Sequence, residues 1–197
     1  MGNKISSVCV FCASGEGNNP IYKKSAREAG KAIAQRGMEL IYGGGKVGLM
    51  GAVADGAMEA GGKVTGIIPE FMIPHEVGHT GITDLLTVSS MHERKLEMHE
   101  RSDAVLTLPG GFGTFEELFE IVTWIQLGLY AKPVALLNVN GYYDLLGQQL
   151  DLMAKEGLLR DKHRPLIHLC SNLDEVFDHF ETYLPGDSIF KILEEQT

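Results

Sequence analysis

The chain has 197 residues, 44% hydrophobic and 22% charged, enough to bury a proper core and short enough that a single globular domain over 1–197 is expected. A net charge of −9, from 17 Lys and Arg against 26 Asp and Glu, argues against a nucleic-acid backbone or an anionic membrane as partner, since either demands a basic face. No stretch approaches the roughly 18 uninterrupted apolar residues of a membrane span. "MGNKISS" leads directly into a strand instead of a signal-peptide hydrophobic region, so a cytoplasmic protein is expected.

Apolar, β-branched runs then alternate with helical patterns. "ISSVCVFCA" (5–13) reads as a strand and "NPIYKKSAREAGKAIAQRG" (19–37) as a helix, with Asn19 as cap, Pro20 at its first position and Gly37 as terminator. Gly2 and Ser6 fit a myristoylation pattern, but a strand starting near residue 4 leaves little free arm. Cys9 and Cys12 form a formal C-x-x-C; three apart on a strand they point to opposite faces, which suits core packing better than redox or metal chemistry. Next come strand and turn "MELIYGGG" (38–45), helix "LMGAVADGAMEAGG" (49–62), strand "KVTGIIP" (63–69), an irregular loop over 70–82, short strand "DLLTVSS" (84–90) and helix "MHERKLEMHERS" (91–102). Strand "AVLTLP" (104–109), helix "FEELFEIVTWIQLG" (115–128), strand "PVALLNV" (133–139), helix "YYDLLGQQLDLMAKEG" (142–157), strand "PLIHLC" (165–170) and helix "NLDEVFDHFETYL" (172–184) follow. Residues 185–197 form a C-terminal tail that packs or frays. Strands that are apolar throughout and separated by helices predict a Rossmann-like, doubly wound parallel sheet with helices on both faces.

Ligands of such sheets sit beyond the carboxyl ends of the strands, where this chain places its glycines. "GGGKVG" (Gly43 to Gly48) satisfies G-x-G-x-x-G between a strand and a helix. Gly44 and Gly45 are therefore candidate ligand contacts, beside the plainer role of a tight turn; no acidic residue ends the following strand to take ribose hydroxyls. In "LPGGFGTFEELFE", Gly110, Gly111 and Gly113 let backbone amides crowd around a ligand, and Thr114 is expected to open a helix whose free N–H groups favour a phosphate. The competing reading of Thr114–Phe115–Glu116–Glu117 is a capping box, with Glu117 folded back onto the cap amide. Leu118, Ile121, Val122 and Ile125 form that helix's buried stripe, which leaves Glu117 on its flank. On a helical wheel Met91, Arg94, Lys95, Met98 and Ser102 share one face opposite Glu93, Glu97 and Glu100, so two cations stand where a phosphate could be gripped. "HEVGH" (His75 to His79) is a literal zinc-peptidase H-E-x-x-H, but Pro74 and Gly78 leave no stable helix for it. His92 and His99 read as surface or interface residues.

"PGGFGTFEE" matches P-G-G-x-G-T-x-x-E and "MHERK" matches M-H-x-R-K, and in this the chain resembles the LOG (Lonely Guy) family, the cytokinin riboside 5′-monophosphate phosphoribohydrolases. "VFCASG", "YGGGKVGLMG" and "EIVTWIQLGLYAKPVALLNVNGYYD" are similar too, so the resemblance spans about residues 5 to 160. It implies a Rossmann-like homodimer without metal or pyridoxal phosphate, acting on a nucleoside 5′-monophosphate to give an adenine-type base and ribose 5-phosphate. It places the catalytic pair on Arg94 and Glu117, and substrate contacts on Glu76, Lys95, the run Gly111, Phe112, Gly113, Thr114, Phe115, Glu116 and Glu117, and Thr123. Gly110 and Met91, inside the two motifs, join these candidates. The older label of the family, possible lysine decarboxylase, finds no support in the residues. Phe112 replaces the usual tyrosine, and the loop around "HEVGHTGITDLLTVSS" is looser than in the plant-type pattern, which bears on the accepted base more than on the reaction.

Cleaving a ribosyl C1′–N bond builds oxocarbenium-like charge on the sugar, which a carboxylate such as Glu117 can stabilise. Arginine does not readily release a proton, so Arg94 suits the role of clamp better than that of general acid. A non-catalytic nucleotide or cofactor carrier is the alternative, since related folds bind without cleaving.

Overall fold

The computed structural model describes residues 4–73 and 78–188. Among the described residues seven strands form one sheet in the order β4-β3-β2-β1-β5-β6-β7, every neighbouring pair parallel. In chain order these are β1 (Ser7–Phe11), β2 (Glu39–Tyr42), β3 (Val64–Pro69), β4 (Asp84–Val88), β5 (Ala104–Thr107), β6 (Val134–Leu137) and β7 (His168–Cys170). Among the described residues six α-helices connect or follow them: α1 (Pro20–Gln35), α2 (Gly48–Glu59), α3 (Met91–Glu100), α4 (Phe112–Gln126), α5 (Asp144–Lys155) and α6 (Leu173–Thr182). This is the Rossmann-like doubly wound arrangement expected from the alternation of strands and helices. None of the described helices is long and apolar enough to cross a membrane.

Alternation along β1 divides the core between the two faces. Val8, Val10 and Cys12 pack with Leu40, Tyr42 and the α1, α2 and α6 residues. Cys9 and Phe11 pack on the other side with Met98 of α3 and Leu118, Ile121 and Ile125 of α4. The two cysteines of C-x-x-C therefore face opposite layers, and both are free thiols. Helix α1 starts as its sequence demands: Asn19 Oδ1 accepts from the Ile21 amide at 3.0 Å, with Pro20 at the first position. Helices α1 and α2 touch backbone to backbone, because a Cβ on Gly30 would lie 1.9 Å from the Val53 carbonyl oxygen and one on Gly56 would lie 2.1 Å from that of Arg27.

Three expectations are corrected. The strand read over 165–170 is shorter, since Pro165 and Leu166 belong to a 3-10 turn over Asp161–Leu166, where Pro165 removes a ladder donor. The loop over 70–82 begins with a 3-10 turn at Glu70–Met72 and rejoins the fold where Gly78 bridges Gly45; positions 74–77, with His75 and Glu76, lie outside the described residues. His99 is no surface residue: its ring is fully buried, edge-on to Phe11 and Trp124 and tilted against Tyr130. The last residue described in the tail, Ser188, follows Asp187, which pairs with Lys162 at 3.6 Å.

Burial, and after it the positive charges of Lys132 and Lys95, push the His99 imidazole down to about 4. Its ordinary value is about 6.5, so as pH falls the unfolded chain takes up the proton first and native stability declines between about pH 6.5 and pH 4, by about 3 kcal/mol from this residue. His179, held near 4 by burial and the adjacent His168 ring, adds to the slope in the same window. Denaturant unfolding at pH 7 and pH 4.5 is expected to show this loss in the wild type and a smaller one in His99→Leu. Gly30→Ala is expected to lower stability by about 2 kcal/mol, read as a lower Tm, because its methyl group would press on backbone alone, the Val53 carbonyl and the Ala57 nitrogen.

Candidate active site

Strand β1 lies between β2 and β5, and the chain leaves it and β5 toward opposite faces of the sheet. A crevice must open where the two connections diverge. There lies a cleft of about 390 Å³, walled by Cys12 to Gly15 after β1, Met50 of α2, Met72 after β3, Met91 and Arg94 of α3, and Gly111 to Thr114, Glu116 and Glu117 at the start of α4.

Arg94 is the most constrained of these side chains. Helix α3 is fixed at its start by its cap residue Ser90, whose Oγ accepts from the Glu93 amide at 3.2 Å, while the Glu93 carboxylate accepts from the amide of the preceding Ser89 at 2.7 Å. One turn later the guanidinium, only 5% exposed, donates from Nε to the Ile67 carbonyl at 3.1 Å and from Nη2 to the Gly43 carbonyl at 3.3 Å. Its Nη1 turns to Glu117 Oε1 at 3.4 Å, with the Met91 sulfur at 3.9 Å. Gly43 leaves the room for this: a Cβ there would lie 1.9 Å from Nη2. Glu117 is 8% exposed and lines the cleft beside Arg94.

Helix α4 begins at Phe112, two residues before the expected Thr114, with Gly111 as its cap residue and no side chain capping it. Thr114 thus lies within the first turn, and the capping-box reading of Thr114 and Glu117 is overturned. No side chain caps the first-turn amides, the arrangement in which helix N-termini can receive anions. A Cβ on Gly111 or Gly113 would meet nothing within 4 Å, so both open onto free space, whereas one on Gly110 would strike Thr114 Oγ1 at 2.0 Å. The turn is held from outside the motif by two tyrosines, the Tyr142 hydroxyl donating to the Gly110 carbonyl and the Tyr143 hydroxyl to that of Leu108, each at 2.7 Å. Phe112, 97% exposed, stands at the mouth.

Not every candidate reaches the cleft. Gly44 and Gly45 do not line it: Gly44, at φ +77°, packs against Ile68 and Leu85, and Gly45 bridges Gly78, which is the tight-turn role. Phe115 stacks on Phe119 and meets Tyr143 edge-on. Thr123 is exposed and donates to the Phe119 carbonyl of its own helix at 2.7 Å. Lys95 does not line the cleft either; its ammonium is taken by Glu116 and Glu120 of α4. Glu76 lies outside the described residues. Of the H-E-x-x-H residues, His79 is described, and both ring nitrogens are engaged: Nδ1 accepts from the Gly81 amide at 3.2 Å, which leaves Nε2 to donate to Asp55 at 3.1 Å.

Cys12 faces the cleft, but burial, followed by the negative charge of Glu117, holds its thiol far above the usual range, so it is no nucleophile at neutral pH. The sequence alone pointed neither to Cys12, Met50 and Met72 nor to the tyrosine pair. The Ser90 cap of α3 was legible in Ser90–Met91–His92–Glu93.

Comparison with known proteins places this geometry in a family. A family profile described as "Possible lysine decarboxylase" matches residues 50–180. The cytokinin riboside 5'-monophosphate phosphoribohydrolase LOG2 of Arabidopsis thaliana is 40% identical over 197 residues, covering 99% of this chain and 92% of that protein. The cytokinin riboside 5'-monophosphate phosphoribohydrolase LOG of Oryza sativa subsp. japonica is 39% identical over 194 residues, covering 98% and 80%. Among solved structures, the molybdenum cofactor binding protein from the phototrophic bacterium Rippkaea orientalis superposes with a TM-score of 0.68 at 25% identity, over 89% of this chain and 94% of that one. With relatives this similar along nearly its whole length, the chain belongs to the LOG family of cytokinin riboside 5′-monophosphate phosphoribohydrolases.

Proposed function

We propose that the cleft binds a nucleoside 5′-monophosphate and hydrolyses its N-glycosidic bond, releasing an adenine-type base and ribose 5-phosphate. The observation that carries this reading is the buried Arg94–Glu117 pair at 3.4 Å, set beside the uncapped start of α4. An anion seated on the first-turn amides gains the helix dipole and the Nη1 edge of Arg94. The sugar then lies toward Glu117, whose carboxylate stabilises the positive charge that develops as the C1′–N bond breaks, through the ribose hydroxyls or by orienting the attacking water. Water supplies the hydroxyl at C1′, and the departing base leaves with a proton.

The methionine wall of Met50, Met72 and Met91 gives the base an apolar, adaptable seat suited to adenine or a prenylated adenine. The protein is read as a cytoplasmic homodimer, for which the exposed Leu96, Phe119 and Leu129 on and after α3 and α4 offer apolar surface. The family pattern adds Glu76 as a substrate contact. The likeness to the R. orientalis molybdenum cofactor binding protein favours one second reading, a carrier that binds a nucleotide or cofactor without cleaving it.

Incubation with AMP and with isopentenyladenosine monophosphate is expected to release free base, identified by chromatography; stable binding without release would favour the carrier. Glu117→Gln is expected to lower turnover at least 100-fold while nucleotide affinity changes by less than about threefold. A matching loss of affinity would instead mark Glu117 as structural. Arg94→Lys, which keeps the charge but loses the fork that engages two carbonyls and Glu117, is expected to cost about 10- to 100-fold in kcat/KM.

A further inference from the structure

Lys95 follows Arg94 on α3, yet its ammonium is hidden from the cleft behind a carboxylate. The side chain is 6% exposed, and Nζ donates to Glu116 Oε1 at 2.5 Å and to Glu120 Oε1 at 2.9 Å. The two partners differ. Glu116 lines the cleft and its side chain is 53% exposed, whereas that of Glu120 is 22% exposed and its other oxygen, Oε2, is buried. Burial draws the Lys95 pKa down, but the hydrogen bonds and charges of Glu116 and Glu120 outweigh it, leaving the ammonium firmly charged. One cation thus serves two carboxylates, and the one nearer the ligand's space is also the one that water can readily receive.

We propose that Glu116 is a specificity-determining residue: its carboxylate occupies Lys95 until the phosphate dianion of an entering nucleotide displaces it, while Glu120 keeps the ammonium in place. This rests on the nucleotide reading of the cleft. The exchange replaces one charge-assisted hydrogen bond with another, so its direction depends on which anion carries more charge. A monoanion such as a carboxylate gains nothing over Glu116 and is turned away. A dianion gains the larger Coulomb attraction, and the released Glu116, already half in water, loses little. Glu116 therefore sets a charge threshold for the phosphate seat, at the cost of some affinity for the phosphate itself.

The test is calorimetric titration at pH 8 of wild type, Glu116→Gln, Lys95→Met and the double variant with inorganic phosphate and with acetate. Glu116→Gln is expected to bind phosphate about tenfold more tightly and to bind acetate, which the wild type takes at least tenfold more weakly. Lys95→Met is expected to lose at least tenfold for phosphate, and the double variant to match it, because the gain from removing Glu116 exists only through Lys95. Unchanged or weakened phosphate binding in Glu116→Gln overturns the proposal, as does a double variant that keeps the gain. Should Lys95→Met not fold, the half-exposed Glu116→Gln decides the matter by its phosphate and acetate affinities alone. Base release by the wild type with an unaltered Glu116→Gln affinity sinks this exchange and leaves the hydrolase standing; a tightened phosphate seat without base release supports the exchange and sinks the hydrolase.

Discussion

A guanidinium taken out of water must be matched donor by donor, and the burial of Arg94 is the constraint around which this site is assembled. Its Nε needs the carbonyl of Ile67, so the end of β3 is fixed beneath α3; its Nη2 needs the carbonyl of Gly43, so the end of β2 is fixed as well. The Nη2 contact does not tolerate a side chain at position 43. Nη1 remains directed into the crevice that the strand order creates, where Glu117 answers it across the β5–α4 connection. The sheet thus supplies carbonyls for two of the guanidinium's nitrogens and leaves the third edge to the cleft and Glu117.

Charge is distributed on the same principle. An acidic chain repels anions at long range, so a phosphate has to be caught by a short-range device. In the proposed reading the device consists of open helix amides, one arginine edge and, once Glu116 is displaced, a lysine kept charged by neighbouring glutamates. In that reading, acid at the sugar end and cation at the phosphate end do not cancel, because each cation is tied to its own glutamates instead of sharing a common pool of charge. The glutamates after the glycine run therefore have distinct surroundings: Glu116 and Glu120 on Lys95, Glu117 on Arg94.

Much of this was legible in the chain. Buried parallel strands announce themselves as unbroken apolar runs, and the cluster of Arg94, Lys95 and Met98 on one face of α3 follows from helical spacing. The failures share a cause. His99 continues the same buried face, but a histidine among aromatic rings looks no different in sequence from one in water. Thr114 imitates a cap because local pattern favours it, whereas the turn before it, its Leu108 and Gly110 carbonyls held by Tyr143 and Tyr142 from a distant loop, lets the helix start earlier. Gly44 and Gly45 matched a nucleotide fingerprint, while their surroundings, Ile68, Leu85 and Gly78, come from residues far along the chain. Periodicity records which face is buried; it does not record what lies against it.

The most direct measurement is a crystal structure with ribose 5-phosphate bound. The account predicts the phosphate on the amides of Phe112 to Thr114 with Arg94 Nη1 in contact, and the Glu117 carboxylate within hydrogen-bond reach of the ribose hydroxyls or of a water facing C1′. A sugar phosphate seated elsewhere, or one leaving Glu117 turned away from the ribose, would contradict it.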